Sequence, residues 1–443
     1  MKSTAVAMTG ESALWQRSVI WLLFLGPFFF ISYGFANRMA AERAITDSLV
    51  FGWEQRIPFL AWTILPYWSI DLFYGFSFLC CRDRLQVDRH ALRLLTAQLV
   101  CVSIFLFFPL HFTFERPPTD GVFGAMFDAL MGFDQPYNQA PSLHIALLVI
   151  IWVRFALAMP QAWRWVVHGW AVLIGVSVLT TFQHHFVDIP TGALVGLLCL
   201  WLWPDAGALP TARGPASRRG QRRRLASCYA IAGVFVAATA LCLGGAALWS
   251  LWIAVALAMV AWIYLRPGAA AFQKRDGQHS PAVAILLAPY FAGAWLNSRW
   301  WTRHKPQPDA ILDNVWLGRL PTRKEMLSSR FAALCDLTAE LAGPRGNWHY
   351  VGLPWLDLVT PESEQLLEAA QAIEALRVRG PVLVCCALGY SRSAAAVAAW
   401  LLVTGRAADV DDALSMIHRE RPQVVFTPEH RAVLDKLTRH SND

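Results

Sequence analysis

The first 265 residues are dominated by apolar runs, each close to the length of a membrane-crossing helix, with basic residues in the connections. A spanning helix needs about 20 mostly apolar residues. Such runs fall near 18–35, 58–80, 95–114, 142–159, 166–182, 187–203, 227–247 and 249–265, so about eight spans are expected. Composition agrees: 56% of the 443 residues are hydrophobic and 16% are charged, against about 25% charged in a typical soluble domain. An ordinary soluble enzyme over the whole length is excluded, as are disorder and fibrous repeats.

The net charge of +7 would suggest nucleic acid only if the basic residues formed a solvated face. They lie between apolar runs instead, so nucleic acid is not an expected partner and the pattern is one of membrane topology. With the N-terminus inside, one side collects Arg82, Arg84, Arg89, Arg93, Arg164, Arg213, Arg218, Arg219, Arg222, Arg223, Arg224, Arg266, Lys274 and Arg275. The other holds little beyond Arg38, Arg43, Arg56 and Arg116. The Arg-rich side is read as cytoplasmic, and the chain as a multi-pass protein of a bacterial inner (plasma) membrane. The segment "MKSTAVAMTGESALWQR" leads into the first span without a clear cleavage site. Nine Cys, an odd number, give no disulfide framework.

The resulting layout is a six-span membrane domain at 1–203, a basic loop with two further spans at 204–280, a segment at 281–305 and a final domain at 306–443. The stretch 281–305 carries two prolines and ends in Trp300, Trp301, Arg303 and Lys305, which suits an interfacial segment on the cytoplasmic leaflet. From 306 onward, short apolar runs alternate with helical patterns, as in an α/β domain. The fold class is therefore multi-domain: an all-α polytopic membrane part plus an α/β part.

The sharpest motif is "VLVCCALGYSRSAAAVAAWLL". An apolar β-type run, Pro381 to Cys385, delivers Cys386 into the loop Ala387, Leu388, Gly389, Tyr390 and Ser391, and Arg392 and Ser393 open an alanine-rich helix. A short loop closing on a helix start aims backbone N–H groups and the helix dipole at one point, where a phosphate oxyanion can sit. The same field lowers a thiol pKa from about 8.5 and makes Cys386 a thiolate nucleophile. Gly389 permits the tight turn, and Arg392 can grip two phosphate oxygens together.

The region resembles a dual-specificity (Cys-dependent) protein phosphatase, in "GYSRS" and in the downstream "RERPQVVFTPEHRAVL". The resemblance implies phosphomonoester hydrolysis through a phosphocysteine. It implies that Asp357, in "YVGLPWLDL", is the general acid and that the Ser393 hydroxyl assists breakdown of the intermediate. The family usually has His directly before the nucleophile, where this chain has Cys385. The loop holds no Lys or Arg before Arg392, so the expected partner is a phosphoprotein or a phosphoinositide-like lipid with few phosphates.

Three polar clusters interrupt the membrane part: "FERPPTDG" with Glu115 and Arg116, "APSLH" with Ser142 and His144, and "QHHFVDIPTG" with His184, His185 and Asp188. Ionisable groups at spanning depth are costly and mark function by default. His184 and Asp188 are four apart and share one helical face. An Asp holding one ring nitrogen frees the other as nucleophile or base. His144 can then serve as the acid, and Arg116 can bind phosphate. The arrangement resembles the type 2 phosphatidic acid phosphatase superfamily over about 95–203, nearest its inositol-phosphorylceramide and sphingomyelin synthase branch. That implies a phosphohistidine on His184, oriented by Asp188, and a phospholipid or lipid-phosphate substrate. Two phosphate ligands of that family are replaced, by Pro109 and Val178. No metal or cofactor is expected at either site. The alternative is a single active phosphatase anchored by a non-catalytic, lipid-binding membrane part.

Overall fold

The structure is a computed structural model describing residues 2–43, 45–213 and 218–440, with side-chain surroundings given for 14–43, 45–213 and 218–438. It divides into two compact units, Met1–Gly207 and Ala208–Asp443.

The first unit is helical. Its helices are α1 (Lys2–Glu42), α2 (Ile64–Ser77), α3 (Arg84–Phe107), α4 (Gly121–Met131), α5 (Leu143–Ala158), α6 (Arg164–Thr180) and α7 (Asp188–Leu202). Asp83 caps α3 by accepting from Gln86 N, and Ser142 caps α5 by accepting from Ile145 N, each side chain satisfying a donor that the helix start leaves free. Helices α5 and α7 cross closely because Gly192 and Gly196 face α5. A Cβ on either would stand 2.4 Å from Ser142 O or 2.6 Å from Ala146 O. This small-xxx-small contact holds the starts of the two helices together, and Ser142 N donates to Asp188 O at 3.2 Å. At the other end, Arg93 and Arg154 both pair with Asp205.

The second unit begins with the antiparallel helices α8 (Arg219–Leu243) and α9 (Leu251–Leu265) and a small β1–β2 hairpin (Lys274–Arg275, Gln278–His279). Helices α10 (Pro281–Leu286) and α11 (Ala288–Trp301) follow. The α/β part contains β3 (Asp309–Leu312), β4 (Val315–Arg319), α12 (Arg323–Leu327), β5 (Ala333–Thr338), β6 (His349–Trp355) and α13 (Ser363–Arg377). It continues with β7 (Val382–Cys386), α14 (Arg392–Val403), α15 (Val410–Glu420) and α16 (Pro428–His440). The sheet order is β3-β4-β7-β5-β6, with β3 antiparallel to β4 and the remaining pairs parallel. Strand β7 is therefore central and buried on both faces, as its run Val-Leu-Val-Cys-Cys requires. Val382, Val384 and Cys386 meet α13 to α16, whereas Leu383 and Cys385 face the opposite cluster with Leu320, Met326 and Leu334.

Five helical segments among the described residues are long and apolar enough to cross a membrane: Leu14–Glu42, Arg84–Phe107, Gln161–Thr180, Arg219–Leu243 and Gly245–Leu265. The three other runs expected as spans form shorter helices. One is α2, whose ends tighten into 3-10 turns at Ala61–Thr63 and Phe78–Cys80; the others, α5 and α7, begin only at Leu143 and Asp188. The arginine run 213–224, expected as a solvated loop, is in part helix. Residues 214–217 lie outside the described residues, but Arg219 to Arg224 form the first turns of α8. Arg222 is buried and donates to Tyr264 O and Arg266 O, capping the end of α9. The stretch 281–305 folds as α10 and α11 within the second unit.

Candidate active sites

Strand β7 ends at the nucleophile candidate because its hydrogen bonding ends there: Cys386 O accepts from Leu320 N at 2.7 Å, and the chain then turns through Ala387–Ser391. Gly389 has φ +74°, and a Cβ on it would meet Gly318 C at 2.3 Å, so the loop lies directly on β4 and only glycine fits. Cys386 is 3% exposed. Its Sγ accepts from Gly389 N at 3.2 Å and from Ser393 Oγ at 3.3 Å.

The loop is held from three sides. Arg421, fully buried, donates from Nε to Gly389 O at 2.9 Å and pairs with Asp309 at 2.8 Å. Val425 N donates to Tyr390 O, and Ser391 Oγ lies 3.3 Å from His430 Nε2. From α11, the buried Ser298 donates to Ala387 O at 2.5 Å, while Tyr390 Oη donates to Trp301 O at 3.1 Å. Cys385 points away from Cys386, as alternate residues of a strand must. It is buried among apolar side chains, and burial pushes its thiol well above the usual range.

Arg392 is 3% exposed and forks onto Glu340, with Nη1 to Oε2 at 2.9 Å and Nη2 to Oε1 at 2.5 Å. Nη1 also donates to Trp355 O, and Nη2 lies 2.9 Å from Asp357 Oδ1. Burial alone would raise Glu340, but the guanidinium outweighs it and holds the carboxyl below the usual range. Asp357 is different. Its side chain keeps 34% of its surface exposed. Desolvation and the Glu340 charge raise its pKa against the pull of Arg392. A carboxyl shifted upward stays protonated to higher pH, as an acid acting near neutrality must. Glu340, Arg421 and Ser298 escaped the sequence reading. Glu340 stands 52 residues before Arg392 in a plain "LTAEL". Its one signal is a carboxylate just beyond the end of a buried strand.

These features point to a Cys-dependent phosphatase fold in the α/β part of the second unit. Residues 315–440 match the family "Dual specificity phosphatase, catalytic domain", so this part of the chain is a phosphoric monoester hydrolase domain. The chain is similar to the solved structure of Tk-PTP in its active form, with 29% identity over 30% of this chain and 98% of that one, at a TM-score of 0.28. It is similar to PTPMT1, with 22% identity over 31% of this chain and 96% of that one (TM-score 0.28), and to human DUSP28, with 21% identity over 30% and 97% (TM-score 0.28). No curated protein matches the chain significantly.

In the first unit, the loop before α7 brings His184 Nδ1 to 3.0 Å from Asp188 Oδ2 and its Nε2 to 3.1 Å from Ser142 Oγ. Both His184 and Asp188 are buried. An ionised Asp188, which can only accept, would place the ring proton on Nδ1 and leave Nε2 to accept from Ser142 Oγ. His144 stacks on Tyr67 at 4.2 Å, and its Nε2 has no hydrogen-bond partner. His144 and His184 line one cavity with Tyr33, Tyr67 and Asp134; Arg116 and Glu115 line a second that also contains Tyr33, Asp134 and His184. Arg116 stands over the Phe127 ring at 4.5 Å. Of the four residues expected to act together, His144, His184 and Arg116 thus line two cavities that share His184, whereas Asp188 lines neither and reaches the site only through His184 Nδ1. Glu54 was missed: it is 1% exposed and accepts from Phe186 N at 2.8 Å, with its Oε2 3.3 Å from His185 Nδ1. Among the described residues no group of three or more His, Cys, Asp or Glu is placed to hold a metal.

Proposed function

We propose that the chain is a membrane-integral enzyme with two phosphate-handling sites, of which the cytoplasmic one is the phosphatase domain. Cys386 attacks the phosphorus of a phosphomonoester, and the P–O bond to the leaving group breaks as Asp357 passes its proton to the departing oxygen. Water, deprotonated by the Asp357 carboxylate, then attacks the phosphocysteine, and inorganic phosphate leaves with Cys386 restored as a thiolate. Backbone N–H groups of Ala387 to Ser391 hold the phosphoryl oxygens, Arg392, its Nη groups held by Glu340, Trp355 O and Asp357, adds positive charge beside them, and Ser393 stabilises the sulfur as it departs. The observation that carries this reading is Cys386 Sγ accepting two hydrogen bonds beside the buried, forked Arg392. Incubation of the full chain with phosphopeptides and with vesicles of lipid phosphomonoesters tests it through phosphate release.

Because the acid must hold its proton, kcat/KM is expected to fall as pH rises through the Asp357 pKa, at a pH above that of an ordinary carboxyl. Asp357→Asn should remove this descending limb and lower kcat by about 10²- to 10³-fold. A pH–rate profile of the two proteins checks this, and an unchanged limb in the variant would assign the acid elsewhere.

The second site supports a His-dependent lipid-phosphate phosphatase or headgroup transferase on the non-cytoplasmic face. His184 Nε2 is its nucleophile, Asp188 its orienting carboxylate, His144 its acid and Arg116 its phosphate ligand. His184→Ala is expected to abolish lipid-phosphate turnover at this site, by at least about 10³-fold, while Cys386-dependent hydrolysis persists. Assays in the Cys386→Ser background isolate it. Lipid turnover indifferent to His184 would leave the anchor reading, in which the first unit binds lipid without chemistry.

A further inference from the structure

The loop that presents Asp357 is not supported by the α/β part alone. Tyr264, one residue before the end of α9 and 1% exposed, donates its hydroxyl to Asp357 O at 3.0 Å. Three residues on, Thr360 N donates to the side-chain oxygen of Gln221, in the first turn of α8, at 3.3 Å. The two helices are tied at this level by Arg222, which donates to Tyr264 O at 2.9 Å and to Arg266 O at 3.1 Å. The Tyr264 ring is fixed in turn: it lies 5.5 Å from Tyr229 of α8, which meets Tyr290 of α11 edge-on at 5.8 Å. Between the two anchors, Leu358 holds φ +57°. A bulky residue in the left-handed region is strained and persists only where surrounding contacts over-determine it. Here the anchors on either side of Leu358 both come from the α8–α9 hairpin.

We infer that Tyr264 is a positioning residue for the acid step, so that the α8–α9 hairpin is a working part of the cytoplasmic active site. This rests on the reading of Asp357 as the general acid. Tyr264 acts through the backbone of the acid loop: its hydrogen bond fixes the Asp357 carbonyl and thereby the direction in which the carboxyl points. A misplaced acid hurts most when the leaving group cannot depart without a proton. Phosphate esters of aliphatic alcohols therefore need the Tyr264 contact, whereas aryl esters with acidic phenols barely do.

The test is steady-state kinetics on the detergent-solubilised full chain, with p-nitrophenyl phosphate and an alkyl phosphomonoester as the two substrates. Tyr264→Phe keeps the ring and removes only the hydroxyl. It is expected to lower kcat for the alkyl ester roughly five- to tenfold, leave KM unchanged, and leave kcat for the aryl ester within about twofold. Gln221→Ala should move the same ratio in the same direction, and Asp357→Asn should move it further. Equal losses on both substrates would mark Tyr264 as merely structural and overturn the proposal, as would no change on either. Should Asp357→Asn itself show no discrimination between the two esters, the acid assignment fails. If Asp357→Asn discriminates and Tyr264→Phe does not, only the positioning role is lost.

Discussion

Replacing Cys386 by Ser is expected to lower phosphomonoester hydrolysis by at least about 10⁴-fold, with the fold intact. The loop is built to stabilise a sulfur anion: Gly389 N and Ser393 Oγ both donate to Sγ, and the buried Arg392 stands beside it. A serine hydroxyl in the same place stays protonated, because two donors and a nearby cation do not bridge the gap between an alcohol and a thiol in acidity. The measurement is phosphate release, together with acid-quenched mass analysis of the peptide carrying residue 386. Wild-type protein should show a phosphorylated peptide and the variant none. A variant turning over within tenfold of wild type would mean that another group is the nucleophile. The phosphate cradle survives the change, so Cys386→Ser should bind substrate as tightly as before and retain it.

What could be read from the sequence, and what could not, divides along the range of the interactions. The strand, loop and helix around Cys386 were legible because every determinant is local: an apolar β-type run, a glycine that must adopt positive φ, and an alanine-rich helix. The strand lies one residue later than expected, at Val382–Cys386, because β7 keeps pairing with β4 as far as Arg319. His184 does meet Asp188, but not on the shared helical face that the spacing of four suggested: His184 lies in the loop before α7, and Asp188 is the first residue of that helix. The supports of each site were not legible. Glu340, Ser298 and Tyr264 reach Arg392, the Cys386 loop and the Asp357 carbonyl from separate elements, with nothing in their neighbours to distinguish them from ordinary polar residues, and Arg421, although inside the quoted "RERPQVVFTPEHRAVL", was given no role. The stretch 281–305, expected as an interfacial segment from its prolines and its basic and aromatic end, also carries packing that composition does not show: Ser298 and Thr302 are buried, and Ser298 reaches the Cys386 loop. A hydrophobic count sees composition, whereas the side of the helix that meets the sheet is decided by packing.

Glu340→Ala should produce the largest loss of stability in the phosphatase domain, because it strands a cation in the interior. The pair is buried on both sides, with side-chain exposures of 3% and 4%, and its geometry is bidentate. Removing one partner of such a pair typically costs about 3–5 kcal/mol, most of it from the charge left behind. Asp357 stands 2.9 Å from Arg392 and offsets part of that charge, so the lower end of the range is expected. At about 2–4 °C per kcal/mol for a domain of this size, the unfolding midpoint should fall by roughly 6–12 °C. Calorimetry of the full chain in detergent measures it. The same change should disturb the acid, since Arg392 freed from Glu340 pulls harder on Asp357 and lowers its pKa; the descending limb of the pH–rate profile would then move to lower pH. Glu340→Gln separates the two effects. It keeps the shape and one acceptor for Arg392, and so should recover part of the midpoint while still shifting the limb. Orthophosphate should raise the midpoint of Glu340→Ala more than that of wild type, because the anion supplies the missing negative charge to the folded state alone. An unchanged midpoint in Glu340→Ala would show that Arg392 needs no buried counter-charge, and the fork would then be a consequence of the loop's position instead of a cause of it.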